Sequence, residues 1–103
     1  MTELTQRMLT NFVAGRFEDV SKPFHPDMRL KLTPQDMAGI SANVTQIFGT
    51  FQSVTEVRQQ VEKGYKIIEV IAAYTKAPVV FRATFDAQGR VCAMQIAPFV
   101  APN

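Results

Sequence analysis

The side chains best suited to chemistry in this chain are few and scattered. His25, the only histidine, is followed by Pro26 and Asp27, and Ser21 precedes it in the same stretch. A histidine near a carboxylate and a hydroxyl has the composition of an acid–base or nucleophilic site, because imidazole exchanges protons near neutral pH and a carboxylate can orient the ring. His25 and Asp27 would share a side only on a regular extended backbone, and the intervening Pro26 does not ensure one. No catalytic residue is therefore assigned, and His25 is read as a loop residue beside a pocket. One histidine and the single Cys92, far apart in sequence, supply too few strong ligands for a zinc site. No metal or cofactor is expected. Cys92 alternates with Met94 and Ile96, which makes it a small buried apolar residue rather than an exposed nucleophile.

Glu69 is the more informative carboxylate, standing between Ile68 and Val70 in a strongly apolar segment. If the following hairpin turns about residues 75–78, Thr84 stands opposite Glu69 and Arg82 is its diagonal neighbour. A buried charge without a partner would be neutralised or would distort its surroundings. The expectation is a Glu69–Arg82 ion pair on the outer face of a sheet, at a subunit contact or beside a ligand.

These residues are positioned by elements that the hydrophobic periodicity marks out. Leu4, Met8, Leu9, Phe12 and Val13 fall on one helical stripe, with Thr2 as N-cap, Glu3 in the first turn and Gly15 at the end. Arg16–Val20 reads as a short second helix, and Lys22-Pro23 and His25-Pro26 end the helical run. Asp27–Leu32 alternates Met28, Leu30 and Leu32 with polar residues, the pattern of a short edge strand. Thr33-Pro34-Gln35-Asp36 is a helix-start signal, and Met37, Ile40, Val44, Ile47 and Phe48 give a helix over about 34–48 that stops at Gly49.

From there to Ala97 the chain reads as four antiparallel strands, with turns at Glu62-Lys63-Gly64, Thr75–Pro78 and Ala87-Gln88-Gly89. Val79, Phe81, Ala83 and Phe85 share one face of their strand. In Tyr65–Tyr74, Ile68, Val70 and Ala72 share one face and Ile67, Ile71 and Ala73 the other, so both faces require cover. The order helix, helix, strand, helix and four strands gives an α+β class, with helices packed on a curved antiparallel sheet. Residues 1–97 make one domain, and the proline-containing 98–103 a C-terminal tail.

Composition narrows the classes. The chain of 103 residues has room for one core, and 47% hydrophobic with 19% charged residues excludes disordered and collagenous classes. Eleven basic against nine acidic side chains leave +2, and neither half forms a charged tail. Nucleic-acid binding has no electrostatic footprint. No apolar run approaches the ~20 residues that cross a bilayer, and the first ten residues lack a secretory apolar segment, so no membrane association is expected. If Met1 is the native start, the expected compartment is the cytoplasm.

The segment Leu9-Thr10-Asn11-Phe12-Val13-Ala14-Gly15-Arg16-Phe17-Glu18-Asp19-Val20, the helix start Leu32-Thr33-Pro34-Gln35-Asp36-Met37, Ile47-Phe48-Gly49-Thr50-Phe51 and Phe85-Asp86-Ala87-Gln88-Gly89-Arg90-Val91 occur in a distinctive order. In that order the chain resembles the cone-shaped nuclear-transport-factor-2-like superfamily, and within it domain of unknown function 3887. The resemblance implies a cone with a pocket between helices and sheet. It also implies a bacterial setting in which such a domain often precedes an α/β-hydrolase domain, making that domain a possible partner. It carries no catalytic signature, and no G-x-S-x-G stands in this chain.

Phe12, Phe17, Phe24, His25, Met28, Phe48, Phe81 and Phe85 are the candidates to line that pocket, for a small apolar ligand, unless they simply fill the core. Ile67, Glu69, Ile71, Val80 and Arg82 are the candidates for a sheet interface, and a homodimer is expected. The leading expectation is a non-catalytic interaction or ligand-binding domain. The alternative is a cyclase- or isomerase-type enzyme using His25, Asp27, Glu69 or Tyr74 inside the cone.

Overall fold

A computed structural model describes residues 1–100. Among these, four helices, α1 (Thr2–Val13), α2 (Phe17–Ser21), α3 (Pro26–Lys31) and α4 (Pro34–Phe48), precede four strands, β1 (Phe51–Glu62), β2 (Tyr65–Tyr74), β3 (Pro78–Phe85) and β4 (Val91–Pro98). The strands form one antiparallel meander in the order β1-β2-β3-β4, with the helices layered on one face. This is the expected α+β arrangement. No helix is long and apolar enough to cross a membrane.

Local signals account for most boundaries. Met1, not Thr2, is the N-cap of α1, and Thr5 returns its hydroxyl to the Met1 carbonyl. Gly15 takes the left-handed conformation just past α1, at φ +80°. Thr33 and Asp36 form a reciprocal capping box at α4, each side chain accepting from the other's backbone N–H. Lys63 and Gly64, both at positive φ, make the two-residue turn between β1 and β2 that suits strand twist.

The segment expected as an edge strand is helical. His25 caps α3 by accepting from the Asp27 backbone N–H at Nδ1 (3.1 Å), Pro26 occupies the first turn, and Arg29 and Lys31 lie in the last. Met28 and Leu32 are four apart, which is helical spacing as well as strand alternation, and Leu30 is left 82% exposed. A strand here would also need a paired neighbour. Near its start the β4 edge is already engaged: Phe24 bridges Val91, the His25 N–H donates to the Val91 carbonyl and the Val91 N–H to the Pro23 carbonyl. The Arg29 guanidinium then donates to the Ser21 and Lys22 carbonyls, tying α3 to the end of α2.

One side of the sheet carries the core. Ile68, Val70, Ala72, Val79, Phe81, Ala83, Phe85 and Val91 pack against Met8, Leu9, Phe12, Val20, Met37, Val44 and Phe48 of the helices. The opposite side carries no helix, and its residues fall into transverse rows that cross the strands.

Candidate functional site

The middle row of the uncovered side is polar from one edge to the other. Arg58 on β1 pairs in register with Glu69 on β2, Glu69 with Arg82 on β3, and Arg82 with Gln95 on β4. Arg82 donates through Nε (3.0 Å) and Nη2 to one oxygen of Glu69, and through Nη1 to Gln95 Oε1 (3.4 Å). Arg58 donates to Glu56, and that carboxylate holds its guanidinium firmly protonated, with Glu69 adding to the effect. Glu69 is the most withdrawn member, its side chain 17% exposed against 42% for Arg82. The pairing is one step tighter than the expected diagonal, because Pro78 already pairs with Ala73 and the turn closes over Tyr74–Ala77.

The rows beside it are apolar or small on β2 and β4 but begin with a polar residue on β1. Glu56, Ile71, Val80 and Ala97 form one, Gln60, Ile67, Thr84 and Ala93 another. Past them, Ser53, Ala73 and Pro78 are small, and the Phe99 N–H donates to the Pro78 carbonyl, extending β4 beyond residue 97 into the stretch expected to be a tail. Residues 101–103 of that stretch lie outside the described residues. The Phe99 ring lies within cation–π distance of the Arg58 guanidinium, 5.2 Å from ring centroid to the guanidinium carbon. Ile71, in the row between them, is only 3% exposed although no helix covers it. Of the interface candidates, Ile67, Glu69, Val80 and Arg82 remain half-buried on this side, and Ile71 is shielded within the single chain.

The pocket candidates divide between two places. His25 and Met28 line a groove of about 320 Å³ with Asp27, Lys31, Tyr65, Asp86 and Cys92. Cys92 arrives there because Phe85 pairs with Val91 and Thr84 with Ala93, leaving Cys92 as the extra residue of a bulge. It is therefore half-buried at the groove rather than inside the core, with Sγ directed to the Thr84 carbonyl (3.5 Å). Burial pushes its thiol pKa up, and the Asp86 charge adds to that.

Two of the polar groups of the groove, His25 and Asp86, are engaged in local structure. His25 Nδ1 caps α3, and Asp27 Oδ2 stands 3.9 Å from it. The Asp86 carboxylate accepts from the Arg90 and Gln88 backbone N–H groups and from Arg90 Nε, which hold it below the usual carboxylate range. The Asp86 contacts order a turn, and the His25 cap orders a short helix.

Phe12 lines a second, smaller cavity between α1, α4 and the β1–β2 edge, together with Tyr74. Phe17 is half-buried and meets Phe12 edge-on at 5.8 Å. Phe24, Phe48, Phe81 and Phe85 are buried in the core and line neither space. Among the described residues no group of three or more His, Cys, Asp or Glu side chains is disposed to hold a metal.

Sequence reasoning singled out Glu69 and Arg82 but missed Arg58, Gln95 and Phe99. The available signal was register: once Lys63-Gly64 is taken as a two-residue turn, Arg58 falls opposite Glu69. A family model described as a protein of unknown function (DUF3887) matches residues 6–94. No curated protein and no solved structure matches.

Proposed function

The chain belongs to the DUF3887 family, and from that premise we propose that it is a non-catalytic interaction domain that pairs with a second copy of itself through the uncovered side of its sheet. The observation that carries this reading is the alternation of charge along the middle row, Arg58, Glu69, Arg82 and Gln95.

Two sheets packed face to face, ~10 Å apart, are related by a two-fold axis lying between them. With that axis parallel to the strands and midway between β2 and β3, each row meets its own reverse. Glu69 then faces the second copy's Arg82, and Arg82 its Glu69. An axis across the strands would set Glu69 against Glu69, so the charges select one arrangement. The same operation sets the bulky Phe99 edge over the small Ser53 edge. Four strands at ~4.8 Å, with about eight residues each at ~3.3 Å, give a face of roughly 500 Å² in plan. The accessible area of such a corrugated face approaches the ~800 Å² that each partner gives to a stable interface.

Light scattering on the eluting protein at micromolar concentration tests the reading. The expected mass is twice 11.5 kDa. Arg82→Glu should shift the population to monomer, and Glu69→Arg combined with Arg82→Glu should restore the dimer. A monomer at every concentration would overturn the proposal, including the case in which a hydrolase domain occupies this face instead.

A further inference from the structure

β1 is the longest strand, 12 residues without proline or lysine, and only one of its edges is paired. Strands are usually about 5–6 residues long, and exposed edges are commonly blunted by those residue types or covered by another element. The opposite edge of the sheet is covered near its start, where the Pro23–His25 segment engages Val91. Along β1, positions 56–62 are exposed apart from half-buried Val57.

The register fixes which backbone groups face outward. Lys63-Gly64 is a two-residue turn, so the flanking Glu62 and Tyr65 form a hydrogen-bonded pair, and in an antiparallel ladder such pairs recur at every second residue. Gln60 with Ile67, Arg58 with Glu69 and Glu56 with Ile71 continue the series. The N–H and C=O groups of Val57, Gln59 and Val61 therefore point away from β2, and none of them has a backbone partner among the described residues. The bulge between Val54 and Glu56 ends this regular run.

Side chains add a pattern to the free edge. Glu56, Arg58, Gln60 and Glu62 lie on the uncovered side of the sheet, in register with β2 residues of that side. Val57 and Val61 lie on the other side, where Val57 packs against the core and Val61 is 66% exposed.

We propose that the β1 edge takes an extended segment of another protein as a fifth, antiparallel strand running opposite positions 62 to 56. Charge and shape define that segment: a basic residue opposite Glu62 and Glu56, an acidic one opposite Arg58, and β-branched residues opposite Val61 and Val57. A second copy's β1 fits this edge less well. Only two antiparallel registers set Arg58 against a second copy's glutamate, centred on Val57 and on Gln60. They run regularly over three and five residues before meeting the bulge at Thr55 or the Lys63-Gly64 turn. The edge is separate from the sheet face and does not depend on self-association there.

The test is a titration of the 15N-labelled protein with the capped heptapeptide Lys-Val-Thr-Thr-Glu-Val-Lys, whose first residue would stand opposite Glu62. Saturable shifts should appear along 56–62, and amide hydrogen exchange should slow at Val57, Gln59 and Val61 but not at Arg58 and Gln60, which already bond β2. The charge-reversed peptide Glu-Val-Thr-Thr-Lys-Val-Glu should bind about threefold or more weakly. N-methylation of the fourth peptide residue, whose N–H faces β1, should weaken binding at least about tenfold, while methylation of the third should not. Gln59→Pro removes one outward N–H at a position where an edge strand tolerates proline, and should weaken binding similarly. The peptide arms use the native chain and serve if that variant does not fold. Absence of saturable shifts, equal binding of the two methylated peptides, or exchange that slows without the alternation would overturn the proposal. Protection of the same three amides without peptide, growing with protein concentration, would assign the edge to a second copy and overturn it as well.

Discussion

The guanidinium carbon of Arg58 stands 5.2 Å from the centroid of the Phe99 ring, although Arg58 lies on one edge strand and Phe99 continues the other. Phe99→Ala should therefore cost about 1–2 kcal/mol, combining the lost cation contact with newly wetted apolar surface. Urea unfolding would read this as a lower midpoint. Val100→Ala is the control: Val100 is 83% exposed, and its loss should change stability by less than about 0.5 kcal/mol.

Gly49 and Gly15 both have positive φ, but their surroundings differ. At Gly15 an added Cβ meets nothing within 4 Å, whereas at Gly49 it would lie 1.9 Å from Thr75 Oγ1, the atom that accepts from the Thr50 N–H. Gly15→Ala should cost about 1 kcal/mol from backbone strain alone. Gly49→Ala should cost at least about 2–3 kcal/mol, because the clash displaces a hydrogen bond in addition. Parallel thermal melts of the two variants would separate these effects. Equal losses would show that the turn at Thr75 moves freely.

His25 accepts a backbone proton at Nδ1, so the neutral ring carries its own proton on Nε2. Ring 15N shifts at neutral pH should report that tautomer. His25→Asn keeps a side-chain acceptor at the cap and should leave stability within about 0.5 kcal/mol, while His25→Ala should lose about 1 kcal/mol. An Nδ1–H signal, or equal stability of both variants with the native chain, would remove the capping role.

Asp86 gives the pH dependence. Two backbone N–H groups and Arg90 hold its carboxylate pKa below the ordinary 3.8. A depressed folded-state pKa contributes stability that is fully present above the unfolded value and is lost as pH falls through the folded value. The urea midpoints of the native chain and Asp86→Asn should therefore differ most near neutral pH and converge well below pH 3.8. A gap that stays constant down to the lowest pH would mean that charge at Asp86 contributes nothing.

How far the sequence reaches is clearest at α3 and at Glu69. Caps, turns and one-face periodicity are local, so Thr33 with Asp36, Gly49 and Lys63-Gly64 are legible in the chain itself, and with them α4 and the antiparallel meander. Residues 27–32 are not, because six residues fit both periods and the choice is made elsewhere. The Pro23–His25 segment engages β4 at Val91, while His25 and Pro26 start a helical turn. Register behaves likewise: composition shows that Glu69 needs a cation, but a one-residue shift in the position of the four-residue turn decides whether Arg82 stands opposite or diagonal.

By itself, then, the sequence determined the α+β class, the strand turns and the two faces of β2, since each follows from interactions within a few neighbours along the chain. Only the tertiary structure decided which polar residues line up across four strands and that Cys92 leaves the core at a bulge. It also decided that Phe99, beyond one edge strand, meets Arg58 on the other. Those outcomes depend on distances between residues remote in sequence, which are fixed by packing and register rather than by local preference.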